Sequence, residues 1–181
     1  FSAIILDIGG GTTDIAVISN GGVEGTKMFG LGGRSFTKSI ADKLNIVFSQ
    51  AEEIKLDYSD GKIKDKEKTG LIKEAIDSNI DVWIMGVKLM LADFSDLDLM
   101  PSKILLCGGG SLLPEIKTAL EDEKWQKIAF ATKPKISFLH PSNIAKIEDE
   151  EQLLKNPQDV TPLALVNIAI DLIPVYLLVI Q

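Results

Sequence analysis

Residues 4–14 read Ile-Ile-Leu-Asp-Ile-Gly-Gly-Gly-Thr-Thr-Asp. Ile4, Ile5 and Leu6 form an apolar run that predicts a buried strand, with Asp7 near its end. Three glycines and two threonines follow before a second apolar run starts at Ile15. A strand that delivers a carboxylate to the edge of a glycine turn has the ingredients of a phosphate and metal site. Glycine has no side chain to block a phosphate, and it reaches the angles that let successive N–H groups face one anion. Asp7 can hold a magnesium ion, directly or through water. Thr12 and Thr13 add hydroxyls. The alternative is a plain hairpin turn between two strands, and this stretch alone leaves both readings open.

Working outward, Ala3–Ile8, Asp14–Ser19 and Val23–Phe29 read as three strands. Asn20-Gly21-Gly22 supplies a tight turn between the second and third, so the three should form an antiparallel meander. Gly30-Leu31-Gly32-Gly33 then breaks the chain. Phe36, Ile40 and Leu44 recur every four residues and predict a helix with one apolar stripe. Ser49-Gln50-Ala51-Glu52 matches a capping box, which predicts a second helix from there to about Tyr58. Ser59–Lys68 is polar and reads as a loop or small hairpin turning at Asp60-Gly61. Leu71–Phe94 predicts a long helix, with Ile72, Ile76, Ile80, Trp83, Ile84, Val87 and Leu91 near helical spacing.

Ile104–Cys107 reads as a short buried strand. It runs into Gly108-Gly109-Gly110, with Ser111 as the expected N-cap of a helix to about Leu120. Ile128–Ala131 reads as a further strand. Residues 132–159 hold three of the seven prolines and many charges, which predicts an irregular segment with little buried. Thr161-Pro162 reads as the start of a core helix reaching about Asp171, Thr as cap and Pro at the first helical position. A strand or ordered tail should follow. Leu163–Ile180 is apolar enough to raise a membrane span. Asp171 within it would cost roughly 2.5–3.5 kcal/mol, and the charge-free part falls short of the about 20 residues a span needs.

Composition narrows the class. The chain has 181 residues, 45% of them hydrophobic, enough for one ordinary domain with a core and a small lobe. Its net charge is −7. No stretch concentrates Lys and Arg, so nucleic acid is not an expected partner. Cys107 is the single cysteine, which excludes an intrachain disulfide and fits a cytoplasmic setting. The chain enters a strand almost at once, without an initiator Met or a basic leader. That reads as an excised fragment or the second part of a longer protein.

Three further features converge on the opening turn. Gly108-Gly109-Gly110 between a strand and a helix lets a flat ligand or a phosphate lie on bare backbone. Glu52 and Lys55, spaced i and i+3, share a helix face: a carboxylate can accept ribose hydroxyls, and an ammonium can meet a purine edge or phosphate. Gly32-Gly33 permits another close backbone approach. Each has a plain alternative: a tight turn, a capping acid with a solvated lysine, and a connection with no ligand.

Taken in order, these segments resemble the second half of an actin-like ATPase, the superfamily of actin, heat-shock chaperone ATPases and sugar kinases. Asp7-Ile-Gly-Gly-Gly-Thr-Thr-Asp14 is similar to the second phosphate motif of that superfamily, and Leu105-Leu-Cys-Gly-Gly-Gly-Ser111 to its adenosine motif. Gly30-Leu-Gly-Gly-Arg-Ser-Phe-Thr-Lys-Ser-Ile40, Ala51-Glu-Glu-Ile-Lys55 and Thr161-Pro-Leu-Ala-Leu resemble the FtsA and PilM group of bacterial division and pilus-assembly proteins. The resemblance covers about residues 3–171. It implies an α/β fold, a ribonuclease H-like lobe with a mixed sheet. The three-strand meander would be followed by αβαβ, and about residues 45–100 would form a reduced helical sublobe.

The resemblance also implies roles. Asp7 would bind Mg2+ through water and lie near the attacking water. Gly9, Gly10, Gly11 and Thr12 would cradle the β- and γ-phosphates of ATP, with Thr13 supporting the turn and Asp14 completing the motif. Glu52 would face the ribose and Lys55 the adenosine side. Gly108, Gly109 and Gly110 would carry the adenine and sugar, and Gly32 and Gly33 would line the same cleft. Two positions depart from the group: Arg34 stands where an acidic residue is common, and Cys107 replaces a small hydroxyl residue.

Such proteins close two lobes over ATP, and the first phosphate motif is expected in a lobe preceding Phe1. Losing two hydrogen bonds to charged phosphate weakens binding by about 3–6 kcal/mol, two to four decades. The isolated lobe is therefore expected to bind ATP weakly and not to hydrolyse it. The implied function is ATP-dependent assembly of a cytoskeletal or membrane complex at the inner face of the membrane. Its partners would be the first lobe, further copies of the protein or a membrane-associated division or pilus protein. The competing readings are a hydrolysing, chaperone-like ATPase, a sugar kinase or exopolyphosphatase lobe, and a structural lobe that binds nothing.

Overall fold

A computed structural model describes residues 1–144, 151 and 153–172. The first three strands form as the alternation of apolar residues requires: β1 (Ala3–Ile8), β2 (Thr13–Ser19) and β3 (Gly22–Phe29). They make an antiparallel meander, with Asp7 opposite Asp14. The turn between β2 and β3 places Asn20 and Gly21 at positive φ, as a tight hairpin demands. β4 (Lys103–Cys107) adds parallel to β1, and β5 (Lys135–Phe138) adds parallel to β4. The mixed sheet has the order β3-β2-β1-β4-β5.

Successive strand side chains point to opposite faces. Ile4, Leu6 and Ile8 of β1, Ile15 and Val17 of β2 and Ile104 and Leu106 of β4 share one face and are buried. Asp7 and Cys107 lie on the other. Helices α1 (Gly33–Leu44), α2 (Phe48–Ser59), α3 (Lys66–Ala92) and α4 (Pro114–Asp122) follow the sheet in the chain. Phe36 and Ile40 of α1, Ala51 of α2, Ile72 to Leu91 of α3 and Ile116 and Leu120 of α4 join the same hydrophobic core as that buried face.

The 27 residues of α3 begin five positions earlier than the apolar spacing indicates. Asp65 caps them, its carboxylate accepting from the N–H groups of Glu67 and Lys68. There is no hairpin in the polar stretch before it; Gly61 takes a positive φ and the chain turns directly into the helix.

Several local expectations fail for identifiable reasons. The expected strand at 128–131 reduces to a single bridge between Met100 and Phe130, while the fifth strand lies in the segment read as irregular. β5 is four residues long and only Ile136 in it is buried, too little for a periodicity to show. Ser49 does not cap α2: the N-cap is Val47, with no side-chain cap bond. Ser111 does not start a helix either. It sits in a 3-10 turn, Gly109–Leu112, and its hydroxyl donates to the Gly108 carbonyl at 2.7 Å.

The helix near the C-terminus, α5 (Val160–Leu172), forms but is not a core helix. Within it only Val160 and Leu163 are buried, whereas Leu165, Ile168, Ile170 and Leu172 are more than half exposed. Among the described residues no helix is long and apolar enough to cross a membrane. The strand or tail expected after Asp171 lies largely outside the described residues.

One polar relay locks α3 to the sheet. Trp83 is 1% exposed, so its indole N–H needs a partner. It donates to Thr13 Oγ1 at 3.0 Å, and the Thr13 hydroxyl donates onward to the Leu31 carbonyl at 2.8 Å. Replacing Thr13 by Val keeps the shape but strands a buried N–H and a part-buried carbonyl. We expect Thr13→Val to destabilise the protein by about 1–3 kcal/mol in urea unfolding, with Thr13→Ser retaining most of the stability.

Candidate functional site

Because β1 and β4 run parallel as neighbours, their carboxyl ends emerge side by side, and each ends in glycines. The turn after β1 is closed by the Gly9 N–H donating to the Thr12 carbonyl at 2.9 Å. The amino end of α1 docks on this turn, with the Gly33 N–H donating to the Gly9 carbonyl (2.8 Å) and the Arg34 N–H to the Gly10 carbonyl (2.7 Å). Gly32 makes that docking possible: a Cβ there would stand 2.6 Å from the Gly9 oxygen and 2.9 Å from the Thr12 nitrogen. The turn after β4 is constrained as tightly. Gly108 has φ 79° and ψ 157°, a region open essentially to glycine alone. A Cβ on it would lie 2.3 Å from Asp7 Oδ1 and 2.6 Å from the Ile8 carbonyl oxygen.

These turns and α2 enclose an open cleft of about 920 Å³. It brings together Gly9, Gly10, Gly33, Glu52, Lys55, Gly109 and Gly110 from the sequence expectation. It adds Leu56, Asp60, Lys62, Leu112, Asn156 and Gln158, which sequence reasoning missed. Leu56 and Lys62 lay in a stretch read only as helix end and loop, and Asn156 and Gln158 in one read as irregular. No local signal marked them.

The other expected residues do not line the cleft. Thr13 is fully buried in the Trp83 relay, and Gly32 and Gly108 are buried at the contacts between turns. The Thr12 hydroxyl donates to Asp14 at 3.1 Å, which gives Asp14 a part in the turn. Gly11 is exposed, with nothing within 4 Å of where a Cβ would be. Asp7 lies on the sheet face away from α1. The Thr161 hydroxyl donates to its Oδ2 at 2.6 Å, so this threonine, read as a helix cap, instead braces the carboxylate.

Lys55 is the electrostatic centre of the cleft wall. It is 7% exposed, and a buried ammonium must satisfy all three donors. Nζ donates to Glu52 Oε2 (2.8 Å), Thr37 Oγ1 (2.8 Å) and the Gly33 carbonyl (3.1 Å). The Thr37 hydroxyl also bonds Glu52. Partial burial works to raise the Glu52 carboxyl. Hydrogen bonds from Lys55 and Thr37, with the charges of Lys55 and Arg34, outweigh it and hold Glu52 below the ordinary carboxylate range. Glu52 is therefore an anion facing the cleft rather than a capping acid. On the far side, burial and then the Asp7 charge push the Cys107 thiol up to about 12, which makes it an inert packing group.

The family model and the curated relatives agree on one family. The model of the cell division protein FtsA matches residues 4–164. The FtsA of Neisseria meningitidis serogroup B is 44% identical over 54 residues, 30% of this chain and 13% of the relative. The Bacillus subtilis FtsA is 27% identical over 155 residues, 76% of this chain and 35% of the relative. Among solved structures, the PilM-PilN type IV pilus biogenesis complex has a chain that superposes with a TM-score of 0.66 at 23% identity. That match covers 92% of this chain and 45% of that one. The ethanolamine utilization protein EutJ from Carboxydothermus hydrogenoformans gives 0.57 at 23% identity, over 90% of this chain and 47% of that one. The chain thus spans about a third or less of these two curated relatives, and both solved structures share its fold.

Two measurements test the geometry. Gly108→Ala should destabilise the protein on the order of 3 kcal/mol in denaturant titration, because strain and a clash with Asp7 and Ile8 coincide. Glu52 titrates below its ordinary 4.5, so it stabilises the fold above that value, and the contribution disappears as pH falls through the folded value. Urea midpoints between pH of about 3 and 6 should therefore fall less steeply for Glu52→Gln than for the wild type.

Proposed function

The chain belongs to the FtsA family of cell division proteins, and we propose that it is an ATP-holding lobe of a protein whose nucleotide state governs assembly. The observation that carries this reading is the cleft itself, with bare glycine backbone on two sides and an anchored Glu52–Lys55 pair on the third.

The residues fit a nucleotide in one orientation. Leu56 and Leu112 offer apolar surface next to Gly109 and Gly110, which suits the adenine and sugar. Glu52 can accept from ribose hydroxyls. Gly9 and Gly10 lie toward the phosphate end, where Gly11 leaves open space for bulky anionic groups. Lys55 acts by fixing Glu52 and the amino end of α1, since its donors are already engaged. Mg2+ fits in the manner typical of that ion, through one carboxylate and the phosphates it accompanies. By the resemblance of its motif Asp7 would be that carboxylate, and among the described residues no group of three acidic, histidine or cysteine side chains could hold a metal. When bound, Mg2+ supplies neutralisation of phosphate charge.

On this reading Asp7 would also orient a water near the phosphates. Hydrolysis demands charge stabilisation around the whole transferring group, and this lobe supplies one side of it. The other side would come from a first lobe. Function in the whole protein is then conformational: ATP holds two lobes together, and the closed form self-associates or docks a division or pilus partner at the inner face of the membrane. Residues of about 45–100 would form the smaller sublobe.

Calorimetry with MgATP on residues 1–181 tests this. The expected dissociation constant is on the order of 100 µM or weaker, with no phosphate release above background. Glu52→Ala and Gly10→Val should each weaken it further. Micromolar binding would overturn the half-site reading, and an absence of cleft chemical-shift changes at about 10 mM nucleotide would overturn the nucleotide reading.

A further inference from the structure

A second cavity, of about 550 Å³, opens between α3 and α4. Glu115, on the first turn of α4, lines it and is 7% exposed. The Tyr58 hydroxyl donates to Oε1. Oε2 is buried and has no hydrogen-bond partner. A buried carboxylate oxygen left without a donor is costly, and native proteins rarely leave one so.

The usual remedies are absent nearby. Burial, the Glu115 bond and the charges of Glu115 and Asp77 push the Tyr58 phenol far up, so it stays protonated. Its single proton is committed to Oε1. Lys73 is the one lysine lining the groove, and its Nζ is paired with Asp77 at 2.6 Å. Glu123 is paired with Lys88 at 3.0 Å. Asp81 and Asp122 also line the groove, and neither makes an ion pair among the described residues. The groove is therefore acidic at its floor and rim, while Ile80, Ile84, Pro114 and Ala119 give it apolar walls.

We propose that this groove binds an organic cation, an ammonium or guanidinium on an apolar stem, whose N–H donors complete Glu115 Oε2. A bare divalent ion suits it poorly, because among the described residues no three acidic side chains are grouped to ligate one. An alkyl stem matches the isoleucine walls, and a positively charged head matches the floor. The site is separate from the nucleotide cleft and does not rest on its reading. No residue lines both.

Nuclear magnetic resonance titration at constant ionic strength tests the proposal, with spermidine and N-acetyl-arginine methylamide as probes. Saturable shifts at Tyr58, Glu115 and Ala119 are expected. Glu115→Gln should weaken binding about tenfold or more, and the rim variant Asp81→Asn, which leaves the core untouched, about two- to threefold. Saturation by spermidine alone identifies a free polyamine as the source, and saturation by the arginine probe alone a basic side chain of a partner. The proposal is overturned if neither probe shifts these signals, if both variants bind as the wild type does, or if Mg2+ produces the same shifts at the same ionic strength.

Discussion

Three stretches of backbone meet at the carboxyl end of β1 with no room for a Cβ between them. Gly32 rests on Gly9 and Thr12, and Gly108 rests on Asp7 and Ile8. That constraint sets the position of α1, whose first N–H groups are satisfied by the carbonyls of the opposing turn rather than by a side-chain cap. It also sets the position of the second glycine turn and, through the Gly108 N–H bond to Pro157, of the segment leading into α5. A cleft with a backbone floor follows from the same fact. Close-packed glycines leave peptide groups, not side chains, as the surface a ligand meets.

Polar groups inside this arrangement are coupled rather than independent. Lys55 ties the carbonyl of Gly33 on α1 to Glu52 on α2, and so connects the wall of the cleft to its floor. Trp83 and Thr13 connect α3 to β2 at the foot of the first turn. Thr161 connects α5 to Asp7 on the opposite face of the sheet. A change at the first glycine turn therefore has hydrogen-bonded routes to four helices, α1, α2, α3 and α5. α5, with its apolar side chains exposed, is the helix among them least held by the core.

Hydroxyl side chains were the main source of misreading. Ser49, Ser111 and Thr161 each stood where a helix cap is expected, and none caps a helix by its side chain. Ser111 bonds instead to the Gly108 carbonyl three residues back, and Thr161 to the Asp7 carboxylate that the fold brings near. Capping motifs describe what a hydroxyl can do locally, and a stronger acceptor close in space takes precedence. Similarly, the apolar run at 128–131 carried strand propensity, yet the ladder on β4 formed at Lys135–Phe138. Register along a parallel edge depends on where the chain returns to the sheet, which no four-residue window contains.

The amino-acid sequence by itself determined the meander, the long helix, the two glycine turns and the placing of Glu52 and Lys55 on one helix face. Each of these rests on short-range facts: alternation, helical period, the missing side chain of glycine and a spacing of three on a helix. Only the tertiary structure decided which expected residues face the cleft and which hold it together. It turned Thr13, Gly32 and Gly108 inward, placed Asp7 on the far face against Thr161, and left Glu115 buried with an unmatched oxygen. Those outcomes depend on which strand ends lie side by side, and the parallel pairing of β1 with β4, about a hundred residues apart, is a property of the whole chain.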